Sequence, residues 1–239
     1  MNRIVIILFF IALTLNAQQK PVVVLELFTS QGCSSCPPAD DALYRIKEKL
    51  DTKTVIPIAY HVDYWNYIGW KDPFSKKRFT DKQRYYGQKF RSNSIYTPQL
   101  VINGNEHLVG SNEVTIYKKV KRYLKETASN SIVLSDVKKE DKSVSFSYSI
   151  QGDIKDKYLE AILVINDRTT KVKRGENRNR TLYNSNIAVT EKVISLTDKN
   201  SGALELTIPD LVIKEDTLRL VLIIKDENLS VQGGTQIEL

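Results

Sequence analysis

The only two cysteines of the 239-residue chain, Cys33 and Cys36, lie three positions apart in the segment FTSQGCSSCPPAD. Two thiols at this spacing could form a catalytic dithiol, supply half of a metal site, or close a small disulfide loop. A disulfide between residues three apart restricts the unfolded chain only slightly, and a chain of this length can build a core without one. Structure alone is therefore a weak reason for the pair, and thiol–disulfide exchange is the favoured interpretation.

The residues around the two cysteines predict a strand, a helix and a second strand. PVVVLELF (21–28) is a continuous apolar run and predicts a buried strand, and TVIPIAYHV (54–62) predicts another. Between them, apolar residues from Ala39 to Leu50 recur at helical spacing. Asp40 and Asp41 are assigned to the polar face of this helix, in its first turn. This order predicts a βαβ unit with parallel strands.

The predicted helix gives each cysteine a different chemical role. Cys33 falls at the strand–helix junction, where free backbone amides and the helix dipole stabilise a thiolate. Cys33 is therefore the predicted nucleophile in disulfide exchange, and Cys36 the resolving thiol that closes the intramolecular bond. Pro37 and Pro38 suit the first turn of a helix, which has no use for their missing N–H groups.

An aromatic and basic insert, 63–95, follows the second strand and predicts one or two helices. It could form a groove or lid for peptide substrates, but an amphipathic segment that packs its rings on the core and leaves a solvated basic face is favoured. Asp63, at its start, could accept a proton from Cys36. The favoured interpretation is that Asp63 caps the helical segment beginning near Tyr64.

The segment TPQLVINGNEHLVGS (97–111) predicts a β-hairpin around Asn103-Gly104, entered through Thr97-Pro98. An amphipathic helix over 113–125 follows, capped by Ser111 or Asn112. From about 131 the pattern becomes strand-rich and predicts an all-β, sandwich-like domain. Its predicted strands are 132–138, 143–150, 158–166, 187–196, 203–208, 217–225 and 229–238. The basic loop KVKRGENRNR (171–180) is interpreted as solvated.

The first seventeen residues predict a secretory signal peptide that is cleaved near Ala17. Arg3 precedes an apolar run that is too short to span a bilayer and that ends in small residues. The mature protein is therefore expected to be secreted or periplasmic, without stable membrane insertion. The net charge of +7 comes from basic residues interleaved with acids, so the sequence gives no nucleic-acid footprint.

Metal binding is the alternative chemistry for the two cysteines. Zinc normally takes four ligands, so one Cys-x-x-Cys motif is half a site. Copper(I) prefers soft thiolates and could be held by Cys33, Cys36 and His61, which lies at the end of the second predicted strand. A structural, hydrogen-bonded His61 is the favoured interpretation, and no cofactor is expected beyond a redox-active Cys33–Cys36 disulfide.

The order of elements over 18–127 resembles the thioredoxin core. Four segments are also similar to the secreted thioredoxin-like family catalogued as "domain of unknown function twelve twenty-three": ELFTSQGCSSCPPAD, HVDYWNYIGWKDPFS, YTPQLVINGNEHLVG and, more loosely, GENRNRTLYNSNIAV. The resemblance implies a thioredoxin-like domain over 18–127 and a β-rich domain over 131–239, but it supplies no substrate. It also implies that Pro98 is cis, lies against the dithiol, and presents the backbone of Thr97 to a substrate.

Two functional hypotheses follow. The first is a secreted or periplasmic thiol–disulfide oxidoreductase whose partners are protein or small-molecule thiols and disulfides. The sequence leaves open its redox partner and the direction of electron flow. The second is a non-catalytic binding protein, either a copper(I) chaperone or an adaptor with a vestigial thioredoxin domain.

Overall fold

The computed structural model describes residues 20–239, so the predicted signal peptide over 1–17 lies outside the described residues. The first half of the chain alternates strands and helices. Its elements are β1 (Val23–Thr29), α1 (Pro37–Lys49), β2 (Val55–His61), a short 3₁₀ turn (Asn66–Ile68), α2 (Lys77–Lys89), β3 (Gln99–Ile102), β4 (Glu106–Val109) and α3 (Glu113–Tyr123). Across residues 20–239, no helix is long and apolar enough to cross a membrane.

The second half consists of strands alone. They are β5 (Ser131–Lys139), β6 (Ser143–Gln151), β7 (Lys157–Lys171), β8 (Thr181–Ser195), β9 (Ser201–Thr207), β10 (Leu218–Asp226) and β11 (Val231–Glu238). Strands β7 and β8 are longer than predicted because their pairing continues past the apolar core to Lys171 and Thr181. The polar residues of that extension lack the apolar pattern on which the prediction relied.

One mixed sheet of eight strands joins the two halves, in the order β11-β10-β7-β8-β2-β1-β3-β4. Strands β1 and β2 are parallel, as predicted, and β3 is antiparallel to β1. Strand β8 continues the sheet beside β2, with Ala59 opposite Ile187. A second, antiparallel sheet contains β5, β6 and β9.

The predicted separate sandwich over 131–239 is therefore not confirmed. Four of its seven strands extend the sheet of the first half, and three form the second sheet. Sequence periodicity predicts strands and their buried faces, but it does not say which sheet a strand joins. The boundaries of the predicted domains, 18–127 and 131–239, stay a prediction.

The large sheet is buried on both faces around β1, which explains why this strand is apolar at every position from Val23 to Phe28 except Glu26. Val24 and Phe28 point to the face covered by α2, whereas Leu25 and Leu27 point to the face covered by α1 and α3. Side chains on alternate positions of a strand leave opposite faces, so a strand covered on both faces is mostly apolar. A third core lies between the large sheet and the second sheet, and β6 of the second sheet contributes Phe146 and its alternate neighbours to it.

Helix α2 is the main element of the aromatic and basic insert, and it packs Phe79 and Tyr86 into the core. Tyr85 is exposed, and Lys77 pairs with Asp81 on the solvent side. This arrangement matches the predicted amphipathic insert with one correction. Lys82 does not belong to the solvated face, because only 13% of its side chain is exposed.

A buried cluster of opposite charges holds α2 against the sheet. The ammonium of Lys82 lies 2.7 Å from Glu160 and 2.8 Å from Glu191, and that of Lys225 lies 2.8 Å from Glu26 and 3.0 Å from Glu160. Burial alone would raise the pKa of Glu160, but Lys225 and Lys82 outweigh burial and lower that pKa to about 2. Each buried charge is thus compensated, which the cost of desolvation requires.

The predicted hairpin and the third helix are both confirmed. Asn103 and Gly104 have positive φ values of 49° and 69°, as a tight hairpin turn requires. A Cβ at Gly104 would stand 1.9 Å from the carbonyl oxygen of Leu229, so glycine is needed there. Of the two predicted caps of α3, Asn112 is the one observed, because its side chain accepts a hydrogen bond from the amide of Thr115.

Candidate functional site

Cys33 and Cys36 form a disulfide between the end of β1 and the start of α1. The amide of Cys33 donates to the carbonyl of Ser30, and the carbonyl of Cys36 accepts from the first amides of the helix. Helix α1 begins at Pro37, so the cysteines form a turn before it, as the two prolines suggested. The sulfur atoms therefore lie at the end of the helix where the dipole favours negative charge.

Both cysteines are completely buried, whereas Ser34 and Ser35 between them are exposed. The segment 172–180, which joins β7 to β8, contributes to this burial. The side-chain amide of Asn177 donates to the carbonyls of Gln31 and Cys33, each at 3.0 Å. The carboxylate of Glu176 accepts from the amide of Ser34, also at 3.0 Å. The sequence prediction that this segment is solvated is therefore wrong at Asn177, which is buried, whereas Glu176 is exposed and also contacts the cysteine turn.

The Thr97–Pro98 peptide is cis and lies beside the first turn of α1. Gly110 sits between the proline and the helix, where an added Cβ would stand 3.1 Å from Ala39 and 3.5 Å from Pro98. The indole of Trp65 donates to the hydroxyl of Thr97 at 2.8 Å. The structure thus brings Pro98 to the helix that follows the disulfide.

Asp40 is the site residue that the sequence prediction missed. It is buried and lies one helical turn beyond Cys36. The amide of Asp40 donates to the carbonyl of Cys36 at 3.2 Å. Its carboxyl accepts from the Thr29 hydroxyl at 3.0 Å. Burial raises the pKa of Asp40 to about 7, and the nearby His61, Thr29 and Asn184 only partly oppose the shift. The four-residue spacing from Cys36 was the available signal, since it places both on one helix face.

His61 lies at the end of β2, beside Thr29 of β1, and is buried. Its Nδ1 donates to the carboxylate of Asp72 at 2.7 Å. Burial lowers the pKa of His61, but the charge and hydrogen bond of Asp72 outweigh burial, so that pKa is raised. The same Asp72 oxygen accepts from the amide of Gln31 at 2.8 Å, which links His61 to the cysteine turn. This is the hydrogen-bonded, structural role favoured for His61.

Asp63 does not take the favoured role of a helix cap. The predicted cap at Asp63 is wrong, because the 3₁₀ turn begins after Trp65 and has no side-chain cap. The carboxylate of Asp63 instead accepts from the Thr80 hydroxyl at 2.5 Å. Asp63 is thereby linked to α2, and the buried acid that follows Cys36 by one helical turn is Asp40.

The copper alternative gains no support from the structure. Within residues 20–239, no three or more His, Cys, Asp or Glu side chains are grouped so that they could hold a metal ion. Cys33, Cys36 and His61 therefore do not form a ready ligand set. With both thiols in the disulfide, neither is a thiolate that could bind copper(I).

Residues 24–225 match the family described as "Protein of unknown function (DUF1223)". The match covers most of the chain, and the protein belongs to this family. The predicted family membership is confirmed, and the family description assigns no activity. Among curated proteins no match is found.

The chain is similar to the crystal structure of protein AGR_C_4864 from Agrobacterium tumefaciens, with a TM-score of 0.67 and 27% sequence identity. The similarity covers 92% of this chain and 95% of that one. A β-glucosidase from Kluyveromyces marxianus also matches, with a TM-score of 0.24 and 12% identity over 52% of this chain and 16% of that chain. A TM-score this low does not indicate a shared fold.

Proposed function

We propose that the protein is a thioredoxin-like thiol–disulfide oxidoreductase that acts in a secreted or periplasmic compartment. One observation carries the proposal: the Cys33–Cys36 disulfide directly precedes α1, whose first turn contains the buried acid Asp40 and packs through Gly110 near Pro98. A disulfide is typical of oxidising compartments, which agrees with the predicted signal peptide.

The order of elements supports a thioredoxin-like core. Parallel β1 and β2 flank α1, and the antiparallel hairpin of β3 and β4 follows the Thr97–Pro98 bond and leads into α3. This core places the start of α1 and the start of β3 at the same edge of the sheet. The remaining strands would form a β-rich extension for docking or partner binding.

The oxidised protein can accept two electrons from a substrate dithiol. A substrate thiolate attacks Cys33, the Cys33–Cys36 bond breaks, and Cys36 leaves as a thiolate. Asp40, whose pKa is about 7, can donate a proton to that thiolate. The second substrate thiol then attacks the mixed disulfide, which yields the substrate disulfide and the reduced protein. The reverse sequence reduces a substrate disulfide, with Asp40 accepting the proton of Cys36.

Attack on Cys33 requires access that the closed structure does not give, because both cysteines are completely buried. Asn177 and Glu176 hold the cysteine turn through three hydrogen bonds. The proposed mechanism therefore begins with an opening step, in which segment 172–180 moves away from the cysteine turn before exchange. Loops that cover a reactive site commonly open and close in this way.

The same burial favours a second candidate function, a binding protein whose disulfide only fixes the turn before α1. In that case segment 172–180 is a permanent part of the structure, and the β-rich half binds a partner. The two candidates differ in the rate at which the disulfide exchanges under native conditions.

Equilibration with glutathione tests the proposed function. The wild-type protein should reach a reproducible ratio of disulfide to dithiol in buffers of defined glutathione potential, and Cys33→Ser should abolish the exchange. The fraction oxidised is measured by alkylation and mass spectrometry, with circular dichroism to verify that the fold is intact. If the folded wild-type protein shows no exchange over hours, the oxidoreductase proposal is lost and the binding protein is favoured.

A further inference from the structure

Segment 172–180 is anchored at its base and at the cysteine turn. The backbone of Val172 pairs with Asn179 and Arg180, and Val172 itself is buried. The guanidinium of Arg180 donates to the side-chain oxygen of Asn177 at 2.8 Å, which orients the Asn177 amide toward Gln31 and Cys33. In the closed structure, the residues between these anchors therefore lie beside the cysteine turn.

Together with Lys171, this segment carries a strong excess of positive charge. Residues 171–180 contain five basic side chains, all exposed, and one acid, Glu176. The Glu176 carboxylate is directed to the amide of Ser34. Lys171, Lys173, Arg174 and Arg178 form no ion pair with any residue of the described range 20–239. Some exposed basic residues elsewhere in the fold, such as Lys142, pair with acids.

We infer that this basic surface, defined by Lys171, Lys173, Arg174 and Arg178, selects acidic partners: peptide segments whose cysteines are flanked by aspartate or glutamate. The inference rests on the proposed function and names its substrate class. Unpaired charges beside a reactive group raise the local concentration of oppositely charged partners and speed their association. Arginine adds paired hydrogen bonds to carboxylates, so the surface can hold an acidic segment as well as attract it.

The test compares three dithiol peptides whose cysteines are flanked by glutamate, glutamine or lysine. Each is mixed with the oxidised protein, and the second-order rate of loss of the Cys33–Cys36 disulfide is measured by quenched alkylation. The wild type is compared with a K173E/R174E/R178E triple variant. Because each peptide is its own reference, the ratio of wild-type to variant rates cancels differences in peptide thiol reactivity.

We expect this ratio to be about tenfold or more for the acidic peptide at low salt, near one for the neutral peptide, and below one for the basic peptide. The ratios should approach one at about 1 M salt, where the Debye length is about 3 Å. A control variant, K155E/K192E/K199E, changes the net charge equally at the other end of the β7–β8 hairpin. It should leave the ratios near one.

Equal ratios for all three peptides, in folded variants that still exchange, would overturn the inference and leave the proposed function intact. The inference would also be overturned if the control variant lost the preference for the acidic peptide to the same extent as the triple variant. Net charge, and not this surface, would then be responsible. A faster rate with glutathione than with the acidic peptide would overturn the assignment to a peptide. No exchange with any peptide would contradict the proposed function itself.

Discussion

Replacing Asn177 by alanine removes two hydrogen bonds that hold segment 172–180 over the disulfide. The side chain is fully buried and donates to the carbonyls of Gln31 and Cys33 at 3.0 Å. Each such bond contributes about 0.5–1.5 kcal/mol, so the closed arrangement should lose about 1–3 kcal/mol. If opening precedes exchange, the rate should rise about 5- to 150-fold, which is the factor that corresponds to this free energy.

The assay is reduction of the folded, oxidised protein by dithiothreitol, followed by alkylation at timed intervals. Asn200→Ala is a matched control, because Asn200 is exposed in a turn and its side chain makes no hydrogen bond within residues 20–239. Its reduction rate should equal that of the wild type. An Asn177→Ala rate within twofold of the wild type, in protein with a native circular dichroism spectrum, would refute the opening step.

Three further predictions concern buried or half-buried polar groups. Asp40→Asn should make the free energy of unfolding less dependent on pH. Because the pKa of Asp40 is raised to about 7 in the folded protein, ionising this carboxyl destabilises the fold above the unfolded-state pKa. In urea unfolding at pH 8 the variant should therefore be up to about 4 kcal/mol more stable than the wild type, and parallel pH profiles would contradict this. Lys225→Met should cost about 3–5 kcal/mol in the same assay because Glu26 loses the ammonium 2.8 Å away, and a loss below about 1 kcal/mol would argue against the buried pair. A double-mutant cycle of Trp65→Phe and Thr97→Val should give a coupling of about 1 kcal/mol from their hydrogen bond, whereas additive effects would indicate no interaction.

Local patterns allowed much of the fold to be predicted from the sequence. The buried strand β1, the Asn103-Gly104 turn and the cap at Asn112 each depend on neighbouring residues, and each is found as expected. The pairing of β8 with β2 could not be predicted in this way. It joins Ala59 to Ile187, which are far apart in the chain, and no local periodicity encodes such a partner.

In the candidate site, too, the features encoded by neighbouring residues were predictable and the long-range contacts were not. The placement of Cys33 and Cys36 before a helix follows from the nearby strand, prolines and helical spacing. The helical pattern of apolar residues puts Asp40 on the polar face of α1, although its four-residue spacing from Cys36 indicates the buried face. Asn177 contacts Cys33 from a position 144 residues further along the chain, and only the folded structure brings the two together.

The most direct test of the central claim is the fate of each single-cysteine variant in glutathione disulfide. Cys36→Ser leaves the predicted nucleophile, so intact-mass spectrometry should find one glutathione adduct on Cys33. Cys33→Ser leaves only the predicted resolving thiol and should stay unmodified over the same time. Adducts at equal rates on both variants, or on neither while both remain folded, would contradict the assignment of Cys33 as the exchanging sulfur.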